Sequence, residues 1–220
     1  MYLDFNVLEQ PFAAIHLATK ELVRLGNMVL DMISASRKAF IENDSSRVRE
    51  LMETEENVND LQEKIVNYLA HMFSTETTTE EQAAKVSGLM HVAADIEHIG
   101  DHCKNIGEFA EEKIKNSYEF SQEAYGEISS CFDLAGKMMM ESIAALESQN
   151  AESAVRVQEL EEEMNRKEND LRIHHMERLN KKECSPEFTV IYTDVVHNIE
   201  KMGDYCNNIA DAVIAENRIE

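Results

Sequence analysis

The sequence predicts an all-α protein made of two tandem three-helix bundles, with six long antiparallel helices. Two prolines, seven glycines and no tryptophan accompany a 43% hydrophobic fraction, which is typical of long uninterrupted helices. Apolar residues recur at intervals of three and four along most of the chain. The stretch "DIEHIGDHCKNI" at residues 95–106 returns as "NIEKMGDYCNNI" at residues 198–209. The 220-residue chain is therefore a duplicated unit.

The first repeat is predicted to span residues 11–117, after an extended lead-in at residues 1–10 with little structure of its own. Its first helix begins near Pro11, a residue favoured in the first helical turn, and runs to about Glu42. Apolar residues at threes and fours give this helix one buried face. They are Ile15, Leu22, Leu25, Val29, Ile33 and Phe40.

Polar joints separate the next two helices. The stretch "NDSS" at residues 43–46 offers an N-cap for a second helix that ends near Phe73. The threonine-rich stretch at residues 74–81 breaks that helix and provides a cap for a third, which runs to about Ile114. Three antiparallel helices of this kind bury a common apolar stripe, so we expect a three-helix bundle.

The second repeat, residues 118–220, follows the same layout. Its helices are predicted at about residues 121–148, 151–179 and 185–216, and Pro186 stands where a first-turn proline belongs. Helices of this length are expected to lie side by side. The two repeats should therefore form one duplicated body.

Acidic residues dominate the charge of the chain. Asp and Glu total 43 against 21 Lys and Arg, a formal net charge of −22, so we expect no nucleic-acid partner and no direct lipid binding. The four cysteines lack close C-x-x-C pairs, which favours reduced thiols in a cytoplasmic compartment. No apolar run is long enough to cross a membrane, so we expect the chain itself to be soluble.

Two acids, one helical turn apart, occur in both copies of the repeated stretch. Glu97 and Asp101 lie next to the core stripe of the third helix, and Glu200 and Asp204 repeat them at an offset of 103. Gly100 lies between the first pair and is expected to allow close approach of a neighbouring helix. Stacked carboxylates repel each other by a few tenths of a kcal/mol at an exposed surface, so their duplication indicates a compensating charge.

A bound cation is one such compensation. Glu55 and Asn59 on the second helix, and Glu161 and Asn165 on the fifth, are also four apart and can complete a site with the neighbouring acids. Carboxylate oxygens suit iron, manganese, magnesium or calcium. The alternative is that all of these are solvated edges in an acid-rich protein.

A histidine face offers a competing zinc site. His91, Asp95, His98 and His102 line one side of the third helix. The second repeat does not duplicate them, which favours a solvated face. Their counterparts are Asp194, Asn198, Lys201 and Tyr205.

Motifs typical of enzymes are scarce. The chain has no phosphate-cradling glycine loop, no nucleophile elbow and no Glu-x-x-His pair of the di-iron carboxylate kind. We therefore expect a protein that is not an enzyme. A carboxylate-bridged metal-binding helical protein or enzyme stays open as an alternative, as does an acidic scaffold without a ligand.

The duplicated "E-x-x-G-D", within "DIEHIGDHCKNI" and "NIEKMGDYCNNIADAV", resembles the PhoU family of phosphate-homeostasis proteins. The opening "YLDFNVLEQPFAAI" and the run "CSPEFTVIYTDVVHNIEKMGD" are more similar to one subfamily. It is the cytoplasmic PhoU-like region that follows the membrane part of bacterial sodium/phosphate cotransporter family proteins. The resemblance covers nearly the whole chain.

The resemblance implies a regulatory domain on the cytoplasmic side of the inner membrane, with the membrane domain of a phosphate transporter as its partner. It also implies multinuclear iron or zinc bound through the acidic motif, which maps to Glu97, Asp101, Glu200 and Asp204. Magnesium or manganese is a less favoured choice. The rival within the family is a stand-alone PhoU-type adaptor that docks on a phosphate importer and a sensor kinase.

The chain departs from the family pattern on the second and fifth helices. The family has a second E-x-x-x-D there, whereas the final acid is replaced by Asn59 and Asn165. An amide is a neutral and weaker ligand than a carboxylate, which argues against tightly bound metal. A homodimer is compatible with the sequence and is left open.

Overall fold

The computed structural model describes residues 2–73 and 79–217. Over this part of the chain the structure is entirely helical, as predicted, with six long helices and two short 3-10 turns. The helices are α1 (Pro11–Glu42), α2 (Ser45–Phe73), α3 (Glu80–Lys115), α4 (Gln122–Ser148), α5 (Ala151–Asn180) and α6 (Thr189–Asn217). Most of the threonine-rich joint predicted at residues 74–81 lies outside the described residues.

Side-chain caps and left-handed residues fix several helix ends. Thr79 and Gln82 form a reciprocal capping box at the start of α3, and Ser121 caps α4 with its hydroxyl group. Asn43 and Gln149 end α1 and α4 in the left-handed conformation, with φ of 57° and 52°. Because Asn43, Thr79 and Ser121 are short polar residues that favour helix ends, these ends could be predicted closely from the sequence.

The lead-in is more ordered than expected. Residues 5–7 form one 3-10 turn, and Leu3 is buried. The Tyr68 hydroxyl group of α2 donates a hydrogen bond to the carbonyl of Asp4, at 3.1 Å. The backbone N–H of Tyr2 also donates to Glu21 of α1, at 2.6 Å. An apolar side chain and hydrogen bonds to α1 and α2 therefore hold this segment against the first bundle.

The segment before α6 also differs from the prediction. Pro186 begins a separate 3-10 turn, Pro186–Phe188, and α6 itself starts at Thr189. The Phe188 ring packs against the rings of Tyr118 and Phe120, at 4.8 and 5.8 Å between centroids. These aromatic contacts attach the turn to the chain that enters α4.

The two three-helix bundles share one core. Helices α1, α2 and α3 pack on one another, as do α4, α5 and α6. The bundles meet where α1 packs on α4 and α3 packs on α6. Cys103 and Cys206, at equivalent places in the repeat, are both fully buried free thiols, as small apolar residues would be.

The contact between α3 and α6 is made by equivalent residues of the two repeats. Asn208 donates a hydrogen bond to Asp95 at 3.4 Å, and Asn105 donates one to Asn198 at 3.2 Å. The offset of 103 relates Asp95 to Asn198 and Asn105 to Asn208, so these are two copies of one contact. The helices therefore cross antiparallel, with each repeat giving the same surface to the other.

The histidine face of α3 takes part in this contact. His102 is half-buried, and its Nδ1 lies 2.7 Å from Oδ1 of Asn198. The rings of His98 and Tyr205 are 4.9 Å apart, while His91 is exposed. The solvated face predicted for this set was therefore wrong at His102, since α6 covers part of it.

Candidate functional site

The first repeat brings three carboxylates together, as the spacing predicts. Glu97 and Asp101 lie one turn apart on α3, and Glu55 faces them from α2. Burial raises the pKa of Glu97, and repulsion from Asp101 and Glu55 adds to the rise. Burial also raises the pKa of Asp101, and Glu55 contributes to that rise. The negative charges of this cluster are thus only partly compensated.

Lys104 supplies the main positive charge of the cluster. Its Nζ lies 3.0 Å from Oε1 of Glu55, a carboxylate that is only 5% exposed. Asn59 donates its amide group to the same oxygen at 2.9 Å. The carbonyl oxygen of Asn59 is buried and has no hydrogen-bond partner among the described residues. Asn59 therefore offers a free acceptor atom one helical turn from Glu55.

The second repeat has its own ammonium group at the acid pair. Nζ of Lys201 lies 2.6 Å from Oδ2 of Asp204 and 3.3 Å from Oε2 of Glu200. Nδ1 of His197 is 3.7 Å from the same Glu200 oxygen. Burial and Asp204 raise the pKa of Glu200, and Lys201 opposes the rise. One lysine thus pairs with both acids.

The two copies of the motif are therefore unequal. The repeat offset places His98 where the second copy has Lys201, and Nε2 of His98 lies 3.8 Å from Glu97. An imidazole 3.8 Å from one acid compensates the pair less than an ammonium group that contacts both acids. The sequence shows this difference, because the residue after Glu97 is His98 whereas the residue after Glu200 is Lys201.

The pair Glu161 and Asn165 of α5 is not joined to the acids Glu200 and Asp204 of α6. Asn165 donates a hydrogen bond to Glu161, as Asn59 does to Glu55 in the other repeat. Over residues 2–73 and 79–217, no hydrogen bond or ion pair links Glu161 to the acids of α6. The predicted four-residue set therefore comes together more fully in the first repeat.

Gly100 and Gly203 are not essential for helix approach. A Cβ atom on Gly100 would lie 3.4 Å from Cγ1 of Val58, and one on Gly203 would lie 3.4 Å from Met138 and Met164. These are ordinary van der Waals distances. The expected role of Gly100 in allowing a close approach is therefore not required by the packing.

A polar cavity of about 420 Å³ lies beside the second acid pair, between α5 and α6. Its lining includes three basic side chains, Arg172, His197 and Lys201, with Glu168 and Glu200 among the acids. The charges are mixed and partly paired, because Arg172 lies 3.5 Å from Glu168. The cavity was not foreseen, since its residues come from two helices.

A second buried polar cluster surrounds Glu127 of α4. Its carboxylate accepts hydrogen bonds from Arg178, Tyr192 and His174, each at 2.8 Å. Although burial opposes the change, these donors lower the pKa of Glu127. The cluster ties α4 to α5 and α6. The partner of His174 lies 47 positions away, so no local spacing indicates this contact.

The residues of the two motifs differ in how well they fit a metal ion. Among the described residues, no group of three or more His, Cys, Asp and Glu side chains is arranged to hold one. The donor chemistry of the first repeat nonetheless fits a hard cation, because Glu97, Asp101 and Glu55 offer only oxygen atoms, and Glu55 lies close enough to raise the pKa of both other acids. The second motif does not fit, since Lys201 already contacts both acids.

Within residues 2–73 and 79–217, no helix is both long and apolar enough to span a bilayer.

Comparison with known proteins places both repeats in one family. The family model described as PhoU domain matches residues 22–110 and 128–213. The chain is similar to the phosphate-specific transport system accessory protein PhoU homolog 1 of Thermotoga maritima, with 23% identity over 84% of this chain and 81% of that protein. It also resembles a Salmonella typhimurium protein named for inorganic phosphate export, with 26% identity over 60% of this chain and 24% of that protein.

Solved structures agree with the fold. The crystal structure of PhoU from Pseudomonas aeruginosa superposes with a TM-score of 0.86 and 18% identity, covering 92% of this chain and 96% of that one. The phosphate transport system regulatory protein PhoU from Streptococcus pneumoniae gives 0.85 and 18%, covering 96% and 98%. At identities this low, the superpositions establish only the fold, which is two three-helix bundles. Since the family model matches most of the sequence in two copies, the chain belongs to the PhoU domain family.

Proposed function

We propose that this chain regulates phosphate transport as a PhoU-type adaptor that contacts a membrane phosphate transporter from the cytoplasmic side. The observation that carries the proposal is the similarity to the Thermotoga accessory protein, which extends along 84% of this chain and 81% of that protein. Family membership in both repeats supports it. The role is regulatory rather than catalytic, and contact with the transporter is its means of action.

A second candidate is a cytoplasmic domain of a sodium-dependent phosphate transporter. The similarity to the Salmonella protein favours it, because the matched part is 24% of a longer protein. The two candidates differ in gene structure. A membrane-spanning segment encoded upstream in the same reading frame supports the domain, whereas a separate transporter gene supports the adaptor.

The first repeat is proposed as the cation site of the regulator. Glu97, Asp101 and Glu55 would hold the ion, with the carbonyl oxygen of Asn59 as a further ligand. A bound cation supplies positive charge that relieves the repulsion within the cluster. An all-oxygen donor set suits iron, manganese or magnesium better than zinc. Lys104 competes with the ion, because it already pairs with Glu55.

Phosphate uptake by the native host tests the regulatory role. Radiolabelled phosphate uptake is measured at low and high external phosphate in the wild type, in a strain lacking this chain, and after complementation. The strain lacking the chain is expected to keep high uptake when phosphate is plentiful, and the wild-type gene restores the decrease. Complementation with Glu97→Ala tests the cation site, and Glu111→Ala, an exposed acid of the same helix, is the matched control.

The uptake result separates the two parts of the proposal. An unchanged response to external phosphate in the strain lacking the chain contradicts the regulatory role. Normal complementation by Glu97→Ala contradicts only the role of the cation site.

A further inference from the structure

A small cavity lies where the start of α4 meets the end of α5 and the segment before α6. Its volume is about 140 Å³, which is room for roughly four or five water molecules or one phosphate-sized ion. It lies apart from both acid motifs, and none of their residues lines it. The lining side chains that matter here are Ser121, His175, Arg178, Glu183 and Ser185.

Two buried side chains of this cavity have nitrogen atoms without a partner. His175 is 3% exposed and Arg178 is 5% exposed. Nε2 of His175 and Nη1 of Arg178 are buried and have no hydrogen-bond partner among the described residues. A buried donor without a partner is destabilising, because it has lost its hydrogen bonds to water. Nη1 of Arg178 is always a donor, and Nε2 of His175 is one when it carries the ring proton, so both can serve a ligand that accepts hydrogen bonds.

The surrounding backbone favours negative charge. Ser121 is the N-cap of α4, a helix of 27 residues, so the positive end of the helix dipole lies at the cavity. Ser185 begins the 3-10 turn without capping it through its side chain. Its hydroxyl group is thus a further donor at the cavity wall.

The acids near the cavity do not fill it. Glu119 and Glu183 also line it, but both are exposed and can turn towards solvent. Glu127 binds the other terminal nitrogen of Arg178 and also receives hydrogen bonds from Tyr192 and His174. One end of the guanidinium group is thus held in place while the other end is without a partner.

We propose that this cavity binds a small tetrahedral oxyanion, through Nη1 of Arg178, Nε2–H of His175 and the Ser185 hydroxyl group. Arginine presents paired N–H donors that match the oxygens of such an ion. His175, Arg178 and Ala124 form a buried wall of the cavity, and contacts made against this wall are strengthened because water is excluded there. The proposed function is not needed for this inference, which rests on the cavity alone.

Titration calorimetry with sodium phosphate, sodium sulfate and sodium chloride at equal ionic strength tests the proposal. Chelator is present, and the Glu97→Ala variant is measured in parallel, so that anion held by a metal is excluded. The wild type is expected to bind phosphate or sulfate saturably at one site, and Glu97→Ala should bind equally well. Chloride should give no saturable signal.

Two serine variants provide a matched pair. Ser185→Asp places a carboxylate at the cavity and should weaken binding on the order of tenfold, while the neutral Ser185→Asn should weaken it much less. Both residues can begin a helical turn, so the fold is expected to persist. Arg178→Lys keeps the charge but removes the second donor, and should also weaken binding. Glu183→Gln removes a nearby negative charge and should strengthen it.

Several results would overturn the assignment. They are the absence of saturable oxyanion binding by the wild type, equal affinity in Ser185→Asp and Ser185→Asn, or loss of binding in Glu97→Ala. A similar affinity for phosphate and sulfate supports a general oxyanion site, and preference for one of them identifies the ion.

Discussion

Lys201 and Asp204 form an ion pair in the second repeat, with Nζ and Oδ2 only 2.6 Å apart. The equivalent of Lys201 in the first repeat is His98, whose nearest acid oxygen, on Glu97, is 3.8 Å away. One substitution between repeats therefore decides whether an ammonium group contacts the acid pair itself. In the second repeat Lys201 contacts both acids, whereas in the first repeat Lys104 pairs with Glu55 instead.

Exchanging His98 and Lys201 should reverse which acid pair is stabilised by an ammonium group. His98→Lys is expected to stabilise the metal-free protein by about 0.3–0.5 kcal/mol, because it adds an ammonium group beside Glu97 and Asp101. Lys201→His should destabilise it by a similar amount. Urea unfolding at pH 7 with chelator measures both. Changes of the same sign in the two variants would contradict the inequality of the motifs.

The cluster around Glu127 should contribute strongly to stability. Glu127→Ala leaves the buried Arg178 without its carboxylate and is expected to cost about 3–5 kcal/mol. Tyr192→Phe removes one hydrogen bond and should cost about 1 kcal/mol. Thermal and urea unfolding measure these losses, with the exposed Glu163→Ala as control. A loss no larger than that of the control would show that the cluster contributes little.

Lys113 should make stability depend on pH in the alkaline range. Its amino group is buried and donates to the carbonyl oxygen of Phe40 at 2.7 Å, and burial lowers its pKa from 10.5 to about 8. The unfolded chain therefore binds more protons than the folded chain between about pH 8 and 10.5. In this window the contribution of Lys113 to stability rises with pH.

A comparison with Lys113→Met isolates this contribution from other alkaline titrations. The free energy of unfolding of the wild type, minus that of Lys113→Met, should grow by about 2–3 kcal/mol between pH 7 and pH 10. Lys115→Met, an exposed lysine two residues further along α3, should show no such growth. A constant difference for Lys113→Met would mean that its pKa is not lowered in the folded state.

The glycines of α3 should respond differently to alanine. Gly100→Ala is expected to stabilise the protein by up to about 1 kcal/mol, because alanine is the better helix former and Val58 leaves ordinary contact distance. Gly107→Ala should gain less or lose stability, since its Cβ atom would lie 3.0 Å from the buried Leu51. Urea unfolding ranks the two variants. A more stable Gly107→Ala would contradict this reading of the packing.

Much of the architecture could be predicted because it depends on local chemistry. Asn43 and Ser121 mark helix ends through their own backbone and side-chain preferences, and the spacing of Glu97 and Asp101 places them on one edge whatever the packing. The pairing of Glu55 with these acids also followed, since adjacent helices of a bundle face each other.

The remaining features depend on how distant segments meet. Lys104 reaches Glu55 across 49 positions, and Arg178 reaches Glu127 across 51, so no local spacing reveals either pair. His102 appeared solvated because the single-helix pattern contains no information about α6. The cavity at His175 likewise forms only when α4, α5 and the 3-10 turn come together.

The metal content of the purified protein tests the inequality of the two repeats most directly. Wild type, Glu97→Ala and Glu200→Ala are incubated with ferrous iron, manganese or zinc, dialysed together, and analysed for metal per chain. The account predicts that Glu200→Ala retains the wild-type content and that Glu97→Ala loses it. Equal content in all three proteins, or a greater loss in Glu200→Ala, would contradict the account.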